Sequence, residues 1–183
     1  TYVISDNISG AKKAVYYLHK LGHRKIAMIM GFNTTKTSQE RFLGYQEALK
    51  ELDLTYNPDW IFNGSYSETG GYQAAEELLR LDNLPTAFFC QSDGMAIGAM
   101  RAIEDAGYNV PDDFSIVGFD DIEASRYVKP ALTTMAQKKE KMGSPVAKLL
   151  INMIEKSGMA NSPIVLPIEL IERDSCKELI SDK

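Results

Sequence analysis

The sequence predicts an α/β domain, a parallel sheet with helices on both faces, and three observations predict it. Largely apolar runs of strand length, residues 26–30, 86–90 and 114–119, alternate with segments whose apolar residues recur at helical spacing. The connections between them are short. The resulting β-α-β-α-β order implies parallel strands joined by right-handed crossovers.

Each element has its own signal. Tyr2, Val3 and Ile4 open a strand with nothing before it, as though the chain enters in mid-domain. Ala11, Ala14, Val15 and Leu18 share one helical face, and Gly22 suits the helix stop. The run Ile26–Met30, followed by Gly31, has the character of a strand buried on both faces. Phe42, Tyr45, Leu49 and Leu52 predict a helix from 39 to 53. Trp60, Ile61 and Phe62 read as a short strand, and Ala74, Ala75, Leu78 and Leu79 mark a third helix. Residues 86–90, after Pro85, form another buried strand. Ala96, Ala99, Met100 and Ile103 mark a fourth helix that stops at Gly107, and the strand at 114–119 follows.

Beyond Asp121 the rhythm changes. Residues 130–136 read as a strand or an extended crossing segment. Ser144 is a candidate N-cap with Pro145 at the first helical position, followed by an apolar face of Val146, Leu149, Leu150, Met153 and Ile154. Residues 158–163 read as a loop and 164–172 as a last strand. The polar stretch after Arg173 is expected to fray. No repeat or low-complexity linker is seen.

Composition narrows the function classes. A chain of 183 residues, 44% of them hydrophobic, can bury a sizeable core. A net charge of -5 and a pI near 5.1 give no basic footprint for nucleic acid. The two cysteines, Cys90 and Cys176, lie far apart without metal spacing, which fits a reducing cytosol. With two histidines no His-rich metal centre is expected, and no cofactor or metal ion is implied. No apolar run reaches the roughly 18 residues of a membrane span, and the N-terminus lacks the pattern of a signal peptide.

The most informative stretch is 110–122, a turn, an apolar strand and then Asp120 and Asp121. In open α/β sheets ligands sit at the carboxyl ends of strands. Gly31 to Ser38 with Arg41 follow one predicted strand, Gly64 to Tyr66 the next, Gln91 to Asp93 another, and the two aspartates the last. One edge thus gathers a rigid guanidinium fork, a flat ring, hydroxyls and carboxylates, the kit of a small-molecule pocket. Plainer readings stand beside it. Arg41 pairs with a glutamate on a helix surface, or Tyr66 merely covers the core. Ser92 or Asp93 caps a helix. One of Asp120 and Asp121 holds a turn or pairs with Arg126. His23 reads as helix-end packing.

Catalysis has little to stand on. Adjacent strand residues point to opposite sides, so Asp120 and Asp121 do not make a working acid/base pair. No nucleophile elbow, phosphate-binding loop or dinucleotide-binding glycine triplet occurs, and Gly31, Gly64, Gly107 and Gly118 are isolated.

Taken together, several strings resemble the effector-binding region of the lactose/galactose-repressor (LacI/GalR) family of transcription regulators. They are Leu18 to Ala27 (LHKLGHRKIA), Arg41 to Tyr45 (RFLGY), Pro85 to Phe89 (PTAFF), Asp93 to Ala99 (DGMAIGA), Val110 to Ile122, Pro130 to Thr134 (PALTT), Met142 and Gly143, and the closing Arg173 to Ser175. They occur in order over nearly the whole chain.

The resemblance implies a fold like a type I periplasmic binding protein, in which two α/β subdomains clamp a small effector. It implies that residues 1–132 and 163–175 form the C-terminal subdomain and that 133–162 cross to an N-terminal subdomain outside this sequence. Residues 176–183 are left as a tail. Asp6 lies near a crossover and faces the effector, Thr37 and Arg41 hydrogen-bond it, Tyr66 stacks on it, and Asp120 closes the site. Ser92 stands where the family often has asparagine, with a shorter reach and fewer hydrogen bonds. The family pattern makes the protein a cytoplasmic, homodimeric repressor that senses a sugar or sugar phosphate. It touches operator DNA only through a missing N-terminal domain and involves no membrane. Helix 94–106, with Met95 and Met100, is a candidate dimer face. A secreted sugar receptor of the same fold is the alternative reading.

Overall fold

The computed structural model of the chain describes residues 3–137, 143, 147 and 164–179. The elements are β1 (Val3–Ser5), α1 (Asn7–Lys20), β2 (Ile26–Met30), α2 (Lys36–Glu51), β3 (Ile61–Asn63), α3 (Glu68–Leu79), β4 (Ala87–Cys90), α4 (Asp93–Asp105), β5 (Ser115–Asp120), β6 (Thr133–Gln137), β7 (Ile164–Leu166) and β8 (Ile168–Ile171). Six strands form one sheet in the order β3-β2-β4-β5-β6-β8, and β1 pairs with β7 in a separate two-stranded sheet.

Strand periodicity divides the core into two layers. Ile26, Met28, Phe89, Val117 and Phe119 point to one face and pack with Ala11, Ala14, Val15 and Leu18 of α1 and Tyr45, Ala48 and Leu49 of α2. Ala27, Ile29, Phe88, Cys90 and Ile116 point to the other and pack with α3 and α4 through Ala74, Leu78, Ala99 and Ile103. Both faces being covered, the central strands read as continuous apolar runs. Glycines let the helices of each layer close up. A Cβ on Gly98 would lie 2.0 Å from the Glu68 carbonyl oxygen, and one on Gly44 2.3 Å from that of Ile8.

The structure corrects several expectations. Strands β3, β2, β4, β5 and β6 are mutually parallel, but β8, which follows β7 after Pro167, lies antiparallel to β6. The apolar stretch at 164–172 is not one strand. It breaks at Pro167, which has no N–H to donate, and its halves join different sheets. Helix α2 starts at Lys36, not at 39, with Thr35 as its N-cap, and Trp60 ends a 3-10 turn (Pro58–Trp60) rather than opening a strand. Residues 133–137, in the stretch read as a strand or an extended crossing segment, form a strand of the six-stranded sheet. The expected N-cap Ser144, Pro145 and the apolar face from Val146 to Ile154 fall outside the described residues.

The stretch after Arg173 is not frayed. The Ser175 hydroxyl donates to the Ile116 carbonyl (2.6 Å) and accepts from the Thr133 N–H (2.9 Å), and the Leu179 N–H reaches the Leu21 carbonyl (2.7 Å). Burial pushes the Cys176 thiol up to about 12. His23, as read, packs at a helix end, with its ring nitrogens 3.0 Å from Thr86 Oγ1 and 2.9 Å from Ser115 Oγ. These contacts gather at the amino ends of the strands, away from the carboxylate edge.

Met95 is wholly buried and Met100 nearly so, both inside the core, so these two methionines do not form an exposed face of α4. Among the described residues no helix is long and apolar enough to cross a membrane.

Candidate functional site

The parallel order brings the carboxyl ends of β2, β3, β4 and β5 and the starts of α1, α2, α3 and α4 to one edge. Each helix start is capped by a side-chain oxygen. Asp6 accepts from the Ser9 N–H (3.0 Å), Thr35 from Ser38 (3.3 Å), Ser67 from Gly70 (3.0 Å) and Ser92 from Met95 (3.3 Å). These caps satisfy donors that the first helical turn leaves unpaired.

Arg41 is the centre of the edge. It sits on the second turn of α2, only 3% exposed, with its guanidinium carbon 3.6 Å from the centre of the Phe119 ring. Its Nε donates to Asn7 Oδ1 (3.0 Å), Nη1 to the Gln91 carbonyl, and Nη2 to Asp120 Oδ1 (3.4 Å). One N–H on each terminal nitrogen remains for a ligand. Burial draws the Arg41 pKa down from its ordinary value, and the Asp120 carboxylate works against that shift. The plainer reading, a pairing with a surface glutamate, is therefore not what the structure shows.

Asp120 ends β5 with a φ of 114°, and Asp121 follows at 51°. Two successive non-glycine residues in this region store strain that their partners must hold. The two carboxylates part. Asp120 faces Arg41 and also accepts from Gln137 Nε2, whose own Oε1 accepts from the Ser5 hydroxyl (2.8 Å). Asp121 faces the other way, to Arg173 (2.5 Å) and Arg126 (3.4 Å). At 22% side-chain exposure Asp120 can meet a ligand, whereas Asp121 is occupied in holding the turn.

Tyr66 lies on the turn after β3, with φ of 55°, next to Ser65 at 51°. The phenol end of its ring rests on Gly31, where a Cβ would come within 2.0 Å of Cζ and Cε2. Phe32, half exposed, meets it edge-on at 6.0 Å between ring centres. Thr37 sits half-buried on the first turn of α2. Ser92 is nearly buried and spends its hydroxyl on the α4 cap. Asp6 is likewise used as a cap, though half-exposed.

Asp93 resolves the ambiguity at 92–93. It is fully buried and accepts from the Ile122 N–H (2.8 Å), the Ser125 hydroxyl (2.7 Å) and the Thr134 hydroxyl (2.5 Å). It ties the β5–β6 connection to α4. Burial pushes its carboxyl above the ordinary range, and the three donors oppose that shift.

Of three further polar residues at this edge, the sequence placed Gln91 there without a role and did not single out Asn7 and Gln137. Gln91 is fully buried and accepts on Oε1 from the Gly31 N–H (2.9 Å) and the Ser38 hydroxyl (2.7 Å), binding β2, α2 and β4 together. Asn7 bridges Arg41 and Glu40, and Gln137 bridges Ser5 and Asp120. The available signal was a lone polar residue directly after an apolar strand, which Gln91 carries. Among the described residues no cluster of three or more His, Cys, Asp or Glu is placed to hold a metal. The edge offers donors, acceptors and aromatic faces around a half-open guanidinium–carboxylate pair, an arrangement suited to binding a small polar ring.

The chain is similar to known proteins in sequence and fold. Residues 15–176 match the periplasmic binding protein-like domain family. The HTH-type transcriptional repressor PurR of Histophilus somni is 41% identical over 180 residues, covering 98% of this chain and 54% of that protein. The chain thus spans about half the length of the curated relatives it matches. A LacI family transcriptional regulator from Enterococcus faecium, solved with bound ribose, superposes with a TM-score of 0.89 at 32% identity, covering 98% of this chain and 67% of that one. A sugar-binding transcriptional regulator of the LacI family from Escherichia coli, complexed with phosphate, superposes with a TM-score of 0.90 at 33% identity, covering 97% and 63%. The chain belongs to the periplasmic binding protein-like domain family, with the sequence and fold of the effector-binding region of LacI/GalR-type regulators.

Proposed function

We propose that this chain is the effector-sensing part of a DNA-binding transcriptional regulator. A sugar-like small molecule, a sugar or sugar phosphate, binds at the carboxyl edge of the sheet and changes the operator affinity of the intact homodimer. The observation that carries the reading is the buried Arg41, held between Phe119 and Asp120 with donors left over. Arg41 and Asp120 bind the ligand's polar groups, Tyr66 gives it an aromatic wall, and Asp6, Thr37 and Ser92 line the rim.

The six-stranded sheet with its helices is the C-terminal half of a clamp. The paired β1 and β7 mark where the chain passes to the other half. DNA contact belongs to a segment outside this sequence, in keeping with the chain's net charge of -5. The similarity to repressors and LacI-family regulators supports this reading over a secreted receptor, and a cytoplasmic, non-catalytic role goes with it.

The test is a melting screen of the intact protein against ribose, galactose, cellobiose and phosphorylated sugars, with Asp120→Asn beside the wild type. At least one compound is expected to raise the wild-type melting temperature while leaving the variant unmoved. Equal shifts in both proteins, or none in the wild type, would count against the reading.

A further inference from the structure

The Tyr66 phenol oxygen is the one buried side-chain nitrogen or oxygen of the described residues without a hydrogen-bond partner. A buried hydroxyl left unpaired is destabilising relative to a phenyl ring of the same shape. Its position is nevertheless built. Only a glycine at 31 leaves room for the ring, and two consecutive left-handed residues, Ser65 and Tyr66, set its direction. The Gly31 N–H on that floor is already taken by Gln91 (2.9 Å). The hydroxyl and the Arg41 guanidinium belong to the same carboxyl edge, one on the turn after β3 and the other on α2.

We propose that the Tyr66 hydroxyl is a specificity-determining group of the effector site. It hydrogen-bonds an uncharged polar group, a hydroxyl or ring heteroatom, on the ligand that Arg41 and Asp120 hold. The ring tilts slightly off Gly31 to make the bond. The ligand class follows from the charges at the edge. The Arg41 cation is matched by Asp120 at 3.4 Å, and Asp6 stands at the start of α1, so a phosphate or carboxylate would arrive as a surplus anion. The proposal rests on the effector-sensing reading and narrows it.

The experiment compares intact wild-type protein with Tyr66→Phe. Melting is first measured without a probe. Affinities are then measured by calorimetry for ribose, galactose and cellobiose, and for the phosphate ester of the first and the uronic acid of the second. Without a probe the variant is expected to melt at or above the wild type. With a neutral sugar its affinity is expected to fall roughly three- to tenfold. Earlier melting of the variant without a probe would show an internal partner for the hydroxyl and overturn the proposal. So would an unchanged affinity, or wild-type preference for the charged compounds. If the wild type binds none of the probes, the sensing reading fails and takes this proposal with it. Binding that Tyr66→Phe leaves intact overturns this proposal alone.

Discussion

Replacing Asp93 by alanine removes the acceptor that three donors share: the Ile122 N–H and the hydroxyls of Ser125 and Thr134, both fully buried. Each donor left unpaired in the core costs about 1–3 kcal/mol. Part of that is offset, because the variant no longer keeps a desolvated carboxylate, the same desolvation that pushes the Asp93 pKa up. Removing one partner from a buried charged network costs about 3–5 kcal/mol, and about 4 kcal/mol is the expectation here. With a urea slope of about 2 kcal/mol per molar, the unfolding midpoint of the chain should fall by about 2 M. Trp60, the only tryptophan and buried with its Nε1 donating to the Asn83 carbonyl (2.9 Å), reports the transition by fluorescence. Ser92→Ala is the control. It loses only the α4 cap, about 1 kcal/mol, or a midpoint shift of about 0.5 M. A shift for Asp93→Ala no larger than for Ser92→Ala would refute the idea that Asp93 ties α4 to the β5–β6 connection.

Other substitutions probe separate parts of the account. Gly98→Ala puts a methyl 2.0 Å from the Glu68 carbonyl, so α3 and α4 must separate; a loss of about 2 kcal/mol or more is expected in urea unfolding. Gln137→Leu removes the link between Ser5 and Asp120, and is expected to weaken effector binding in calorimetry several-fold, roughly the worth of one charge-assisted hydrogen bond, with a smaller effect on melting. Burial draws the His23 pKa below its ordinary 6.5. Above 6.5 both states are neutral at this residue. As the pH falls from there through the folded value, the unfolded chain takes up the proton first and stability is lost. Melting temperatures between about pH 8 and about pH 5 should show this acid loss, and His23→Gln should flatten it.

Elements whose signal is local were legible in the sequence. The apolar runs of β2, β4 and β5 and the faces of α1 and α4 need only neighbouring residues to be recognised. Arg41 was harder, because its partner Asp120 comes from another strand, and local spacing equally allowed a surface glutamate. The antiparallel β8 depends on the direction in which the chain enters the sheet after β7, which no periodicity encodes. The docking of Ser175 and Cys176 was hidden by their small polar side chains, which here satisfy β5 and β6 backbone groups rather than solvent. Met95 and Met100 look alike on a helical wheel whether they face a partner or a second helix layer; the glycines at 64 and 71 that receive Met95 decide for the core.

The central claim is that a small polar ligand is held between Arg41 and Asp120. A crystal structure of the intact protein with whichever sugar raises its melting temperature tests this most directly. The account predicts ligand oxygens within hydrogen-bond distance of both the Arg41 guanidinium and the Asp120 carboxylate. A ligand bound elsewhere, with the Arg41–Asp120 pair untouched, would contradict it.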